Sequence, residues 1–144
     1  MESSSRAIYP FLMFVLLVLT SCTQSAKENI LVGRWYQKAY STNGIDFVER
    51  TVNFRPDRTY TEEGELHSKA LVFKYKTDVI KYNIDGKWRI KLGNLYSIVK
   101  KSDFPPAGKV GDIDKNRIIQ LDSNSFSFLY SYNGHTGTSV RVKE

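Results

Sequence analysis

The sequence predicts an all-β protein: a small antiparallel up-and-down β-barrel of about eight to ten strands that follows an N-terminal signal peptide. Short runs of alternating apolar and polar residues indicate strands, most regularly over residues 87–92. Turn residues separate these runs, as at Asp85-Gly86, a strong hairpin signal. No stretch beyond residue 22 has a sustained helical period. Closing the sheet would remove the exposed edges that so many strands would otherwise leave.

The order of residues at the N-terminus is typical of a secretory signal. Arg6 precedes an apolar run over residues 11–19, and the small residues Thr20 and Ser21 follow it. The run is about half as long as a helix that spans a bilayer. We therefore expect residues 1–21 to be a cleaved export signal, not a membrane span.

The tetrapeptide Leu19-Thr20-Ser21-Cys22 resembles the bacterial lipobox. That resemblance implies that Cys22 carries acyl chains such as palmitate, becomes the mature N-terminus and binds the membrane through these chains. Because Thr23 and not Asp follows the cysteine, it also implies an outer-membrane lipoprotein of the cell envelope, on its periplasmic or surface face. The expected organisation is a linker over residues 22–30 and one barrel domain over residues 31–144.

Composition narrows the possible partners. The chain has 21 Lys and Arg against 15 Asp and Glu, a formal net charge of +6, which suits an anionic partner such as a lipid head group or an acidic protein. The outward-facing basic residues are Lys74, Lys76, Lys87, Arg89 and Lys91. Nucleic acid is not expected as a partner, because no stacking aromatics are interleaved on that face. With its single cysteine acylated, the domain must be held by packing, for which it has 2 Trp, 9 Tyr and 8 Phe.

Catalysis is not expected, and neither is a metal or a cofactor. The two histidines, His67 and His135, lack partners at ligand spacing, and we expect both to be solvated residues of turns or strand ends. Glu63 and Glu65 share one strand face, which we interpret as a polar outer surface.

The alternation of apolar and polar residues has two further implications, one for Arg50 and one for residues 69–76. Arg50 falls on the apolar side of its strand, so we expect it near a rim and paired, because an unpaired buried charge is costly. Residues 69–76 place Leu71, Phe73 and Tyr75 on one side and predict a further strand.

Two motifs resemble bacterial lipocalin-like domains. Gly33-Arg34-Trp35 matches their G-x-W, and residues 52–60 are similar to their F-x-x-D-G-T-Y hairpin, with Arg58 where Gly is usual. The resemblance implies that Gly33, Trp35 and Arg141 close the barrel, with Arg141 stacked on the Trp35 ring as a cation–π pair.

Aromatic residues are the candidate ligand contacts. Phe126, Phe128 and Tyr130 share one strand face, and a long loop with Pro105-Pro106 is expected to cover the barrel mouth. The full candidate set is Phe73, Tyr75, Trp88, Tyr96, Phe104, Phe126, Phe128 and Tyr130. We expect a mostly filled interior with a shallow cup.

Two functions remain open. The first is a lipoprotein that binds a small apolar or amphipathic ligand at the cell envelope. The alternative is a periplasmic inhibitor or immunity lipoprotein that blocks a protein toxin or a cell-wall hydrolase. Neither function needs a catalytic residue.

Overall fold

The computed structural model describes residues 26–41, 44–131 and 134–143. Eight antiparallel strands form a closed barrel in sequence order, and β8 pairs with β1. The strands are β1 Gly33–Tyr40, β2 Phe47–Phe54, β3 Thr59–His67, β4 Val79–Lys91, β5 Asn94–Ser102, β6 Ile113–Leu121, β7 Ser125–Tyr130 and β8 Thr136–Arg141. Two short helices accompany them: α1, residues 26–31, and α2, Leu71–Tyr75. The expected all-β up-and-down barrel is confirmed, with eight strands.

The expected signal segment and Cys22 lie outside the described residues. Within the described ranges, no helix has both the length and the apolar character needed to cross a membrane.

The two ends of the barrel differ. The connections after β2, β4 and β6 are short turns at one end, where α1 also lies; we call this the closed end. The connections after β1, β3, β5 and β7 lie at the other end, the open end, and include α2 and the loop over residues 103–112. The open end is therefore where a molecule could enter.

Helix α1 seals the closed end. Leu31, its last residue, is 0% exposed, and its carbonyl accepts a 2.7 Å hydrogen bond from Trp35 Nε1. Glu28 pairs with Arg58 of the β2–β3 turn at 3.0 Å. Residues 26–30 were expected within a linker, but they form this helix because Leu31 and Glu28 both have partners on the barrel.

The conformation of the β2–β3 turn explains how Arg58 takes the place of the glycine that is usual in the F-x-x-D-G-T-Y hairpin. Arg58 has a φ of 64°, the left-handed conformation that favours glycine. Asp57 stabilises the turn by accepting hydrogen bonds from the Thr59 amide at 2.9 Å and hydroxyl at 2.6 Å. Arg58 therefore occupies the backbone conformation that the usual glycine would adopt, and it gains the ion pair with Glu28.

The prediction of a strand over residues 69–76 is wrong. β3 pairs directly with β4, with His67 opposite Val79, so no strand edge is left for the segment between them. Residues 71–75 instead form α2, which ends where Lys76 adopts a φ of 60°. The alternation in this segment therefore does not separate a buried face from an exposed one.

Candidate ligand-binding cavity

The barrel encloses a cavity of about 360 Å³ that is lined by residues from all eight strands. This volume lies at the lower end of the range for small-molecule sites, about 300–1,000 Å³. Trp35, Phe54 and Phe126 line it towards the closed end, and Pro106, Ala107 and Gly108 line it at the mouth. The interior is thus deeper than the shallow cup expected, because the apolar core gathers at the closed end and leaves the upper barrel open.

A charged network lies inside the barrel and joins side chains of β1, β2, β3, β4 and β7. Arg50 Nη1 is 3.3 Å from Glu62 Oε1, and Arg50 Nε donates to Gln37 Oε1 at 2.8 Å. Gln37 Nε2 donates to Tyr130 Oη at 2.6 Å, and Tyr82 Oη donates to Glu62 Oε1 at 2.8 Å. Arg50 is paired as expected, but it lies in the interior, not at a rim.

The ion pair with Glu62 favours the charged form of Arg50. Burial lowers the pKa of Arg50, but the nearby Glu62 carboxylate and the Tyr130 and Tyr82 hydroxyls outweigh that effect and raise it above its ordinary value. Burial and then the Glu62 charge raise the pKa of Tyr82, so its phenol stays protonated and donates to Glu62.

Sequence reasoning expected Arg50 to be paired but did not identify Glu62 as its partner. Alternation from Phe54 places Arg50 inward, and alternation from Tyr60 places Glu62 inward. Two opposite charges on the inward faces of neighbouring hairpin strands were the signal available in the sequence.

Gly64 makes room for this network. It lies opposite Arg50 in the β2–β3 pairing, and a Cβ added there would come within 2.3 Å of the Tyr82 ring. The absence of a side chain at residue 64 therefore lets the Tyr82 ring cross β3 and reach Glu62.

A second acidic group lies on the opposite wall. Asp114 projects into the cavity from β6, four strands from β2, and it pairs in register with Ser97 of β5, which also lines the cavity. Within the described ranges no hydrogen bond or ion pair holds the Asp114 side chain. Asp114 remains exposed at the open end, but partial desolvation by the barrel wall, then the charges of Glu62 and Asp112, raise its pKa above the ordinary 3.8, and Arg50 partly opposes this.

We expect Asp114→Asn to raise the melting temperature at about pH 7. An acid whose pKa is higher in the folded state destabilises that state when it is ionised, so the folded chain loses stability as the pH rises through this pKa. Thermal unfolding should show a higher Tm for the variant at about pH 7 and a difference that disappears below about pH 3.8.

Asp103→Asn is the matched control. The backbone and side chain of Asn83 donate to Asp103 at 2.7 and 2.8 Å and lower its pKa, so this variant should reduce Tm at about pH 7. A lower Tm for Asp114→Asn at that pH would contradict the assigned environment of Asp114.

The structure brings part of the predicted aromatic set together. Phe126, Phe128 and Tyr130 line the cavity. Trp88 is buried but lies towards the closed end, where it packs on Phe54 at 5.5 Å between ring centroids. Its indole nitrogen donates to the Thr59 carbonyl at 3.0 Å, so Trp88 belongs to the core below the cavity.

The other predicted aromatics lie away from the cavity wall. Phe104 belongs to the mouth loop, is partly buried against the core, and packs against Tyr75 of α2 at 5.6 Å between ring centroids. Phe73 is 87% exposed on α2 because that segment is not a strand. Tyr96 is on the outer face of β5, beside Arg89 at 5.5 Å and Lys115 at 5.9 Å. The expected convergence of Phe73, Tyr75, Trp88 and Tyr96 with the other rings is therefore wrong.

The residues expected to close the barrel do meet. The Arg141 guanidinium lies 4.2 Å from the centroid of the Trp35 ring. Arg141 also donates to the carbonyls of Val32 at 3.0 Å and of Ile30, which connects β8 to α1. A Cβ on Gly33 would come within 2.3 Å of Arg141 Nη1, and Gly33 has a φ of 127°, so this position requires glycine.

Among the described residues, one cluster on the outer face contains side chains of the types that bind metal ions. Glu49, Glu65 and His67 each place one ligand atom within 4.8 Å of the others. Lys38 lies 2.7 Å from Glu49 and Lys81 lies 3.3 Å from Glu65, so lysine ammonium groups already neutralise both carboxylates.

His67 lies at a strand end as expected, since it is the last residue of β3, but it is only partly exposed. Its ring stacks on that of Phe47 at 4.2 Å between centroids. Residue 135 is exposed and precedes β8, at the same end of the barrel.

No protein-family model matches the sequence, and no curated protein matches it. Among solved structures, the chain is similar to a lipocalin-like protein from Bacteroides uniformis, with 14% sequence identity and a TM-score of 0.47. That match covers 79% of this chain and 99% of the other. By its own strand order, a closed antiparallel barrel of eight sequential strands, the chain has a lipocalin-like architecture.

Proposed function

We propose that this chain is a membrane-anchored lipoprotein that binds a small apolar or amphipathic molecule in its barrel at the cell envelope. The observation that carries the proposal is the open cavity of about 360 Å³, which combines aromatic walls with a few fixed polar groups. Sites of this composition hold small molecules, because apolar walls provide affinity and the polar groups fix orientation.

The rim of the open end supports an amphipathic ligand. Phe73 and Val72 of α2 and Val110 of the mouth loop expose apolar side chains there. Apolar surface next to a cavity provides a contact for a ligand before it enters.

Binding is tested on the domain produced in its native host. Native mass spectrometry should show a small molecule that dissociates on collisional activation. A barrel that is empty, and that captures one specific protein from the host, would contradict the ligand-binding proposal and support the inhibitor or immunity function.

A cavity-filling variant provides the matched comparison. Ala39 lines the cavity, so Ala39→Phe should reduce the ligand occupancy at least about tenfold, since a phenyl ring takes up much of the space. Ala70→Phe makes the same change at an exposed residue before α2 and should leave the occupancy unchanged. Far-ultraviolet circular dichroism confirms that both variants fold. Equal occupancy in the two would place the ligand outside the barrel.

Anchoring is tested at Cys22. We expect Cys22→Ala to abolish recovery in the detergent-extracted membrane fraction, because without the thiol no acyl chain can be attached. Ser21→Ala keeps a small residue before the cysteine and should remain in that fraction. Membrane recovery of the Cys22→Ala protein would remove the anchor from the proposed function.

A further inference from the structure

The formal charges inside the cavity do not balance. Its lining contains one basic side chain, Arg50, and three acidic ones, Glu62, Asp112 and Asp114. Asp112 and Asp114 are exposed at the open end, so the excess negative charge of the lining lies at its mouth, whereas the chain as a whole carries a net charge of +6. A ligand that enters the cavity therefore meets a negatively charged mouth on a positively charged protein.

The single cation is already neutralised. Arg50 lies 3.3 Å from Glu62 and also donates to Gln37 and Tyr130. A ligand carboxylate would have to compete with Glu62 for Arg50, and it would be repelled by the two aspartates. Arg50 is for these reasons a poor anchor for an anion.

The remaining negative charge is concentrated at the mouth side of β6. Asp112 Oδ2 accepts one hydrogen bond, from the backbone amide of Lys109 at 2.9 Å. Asp114 lies two residues further along, faces the cavity beside Ser97 and Asn116, and has no hydrogen bond or ion pair to another described side chain. It is the charged group of the lining that a ligand could neutralise.

The neighbouring wall, formed by β7, is suited to a ligand that carries a positive charge on an apolar body. Phe126 and Phe128 of β7, the strand next to β6, line the cavity with ring centroids 4.8 Å apart. Aromatic faces attract cations, and they also pack against an alkyl or aryl body.

We propose that the cavity selects small amphipathic amines, molecules that join a protonated or quaternary ammonium group to an apolar body, with Asp114 as the opposing charge. The proposal rests on the proposed function, since it names the ligand class for the same cavity. The ammonium group lies against the β6 wall at Asp114, and the apolar body lies against Phe126 and Phe128.

Three probes of equal chain length test this selectivity: decylamine, decanol and decanoate, each titrated calorimetrically below its micelle concentration. We expect decylamine to bind at least about tenfold more tightly than either of the others. Long-range attraction to a chain of net charge +6 favours decanoate, so a preference for the amine must arise inside the cavity.

The outcomes separate the two proposals. If decanol or decanoate binds as tightly as decylamine, amine selectivity is overturned while ligand binding in the barrel stands. If none of the three binds, the proposed function is overturned, and amine selectivity with it.

Asp114→Asn identifies the residue responsible. We expect it to weaken decylamine binding about tenfold and to leave decanol binding unchanged, because only the amine loses a charge partner. Glu63→Gln removes one carboxylate from the outer face and controls for net charge, so it should leave both affinities unchanged. Unchanged decylamine affinity in a folded Asp114→Asn protein would overturn the assignment.

Discussion

Replacing Trp35 with alanine is expected to lower the free energy of unfolding by about 4 kcal/mol. Trp35 is 1% exposed, and its ring packs against Phe126 at 5.8 Å between centroids. Its Nε1 donates to Leu31 and its face is covered by Arg141, so truncation leaves a void between α1, β1 and β8. Chemical denaturation monitored by circular dichroism measures the loss.

Two further variants make this prediction testable even if Trp35→Ala does not fold. Trp35→Phe keeps a ring but removes the donor to Leu31, and it should cost less than the alanine variant. Arg141→Ala should change the near-ultraviolet tryptophan signal, because it uncovers the Trp35 face. Tyr96→Ala, on the outer face, is the control and should cost less than about 1 kcal/mol. Equal losses of unfolding free energy in Trp35→Ala and Tyr96→Ala would contradict the conclusion that packing at the closed end stabilises the barrel.

Arg50→Met should lower the free energy of unfolding by about 3 kcal/mol. The substitution removes the cation but leaves Glu62 buried in the barrel, where the Tyr82 hydroxyl still donates a hydrogen bond to it. An uncompensated buried carboxylate is costly because water can no longer solvate it. Urea unfolding at about pH 7 measures the change.

The double variant Arg50→Met with Glu62→Met should recover most of that loss, because it removes both charges together. Lys38→Met is the matched control: it breaks the Lys38–Glu49 pair, which is 2.7 Å long but has side chains 34% and 33% exposed, and should cost less than about 1 kcal/mol. If Arg50→Met costs no more than Lys38→Met, the interior pair does not have the energetic role assigned to it.

Much of the architecture could be predicted because the physical signal is local. Alternation over residues 87–92 gives the inward positions of Trp88 and Ile90 directly, and both are buried. Arg141 lies far from Gly33 and Trp35 in sequence, and the resemblance to lipocalin-like domains predicted the contact of Arg141 with Trp35 that the structure shows.

The errors arose where alternation alone could not decide. Over residues 69–76 the apolar side chains alternate as in a strand, but strand pairing depends on a free edge, and β3 and β4 leave none. Arg50 was treated as an exception within its own strand, and Glu62 was not identified as its partner. Their pairing depends on the register of the β2–β3 hairpin, in which Val52 lies opposite Glu62 and Arg50 opposite Gly64. The aromatic count likewise could not distinguish rings in the core from rings lining the cavity.

The position of α1 sets the direction of the barrel axis relative to any attached lipid. Cys22 precedes α1 by four residues, a reach of at most about 14 Å for a fully extended chain. Acyl chains on that sulfur would hold the sealed base of the barrel near the bilayer and point the entrance at the aqueous compartment. A bound molecule would then be exchanged with that compartment, or with a partner facing the entrance, and would not slide in sideways from the lipid that holds the anchor.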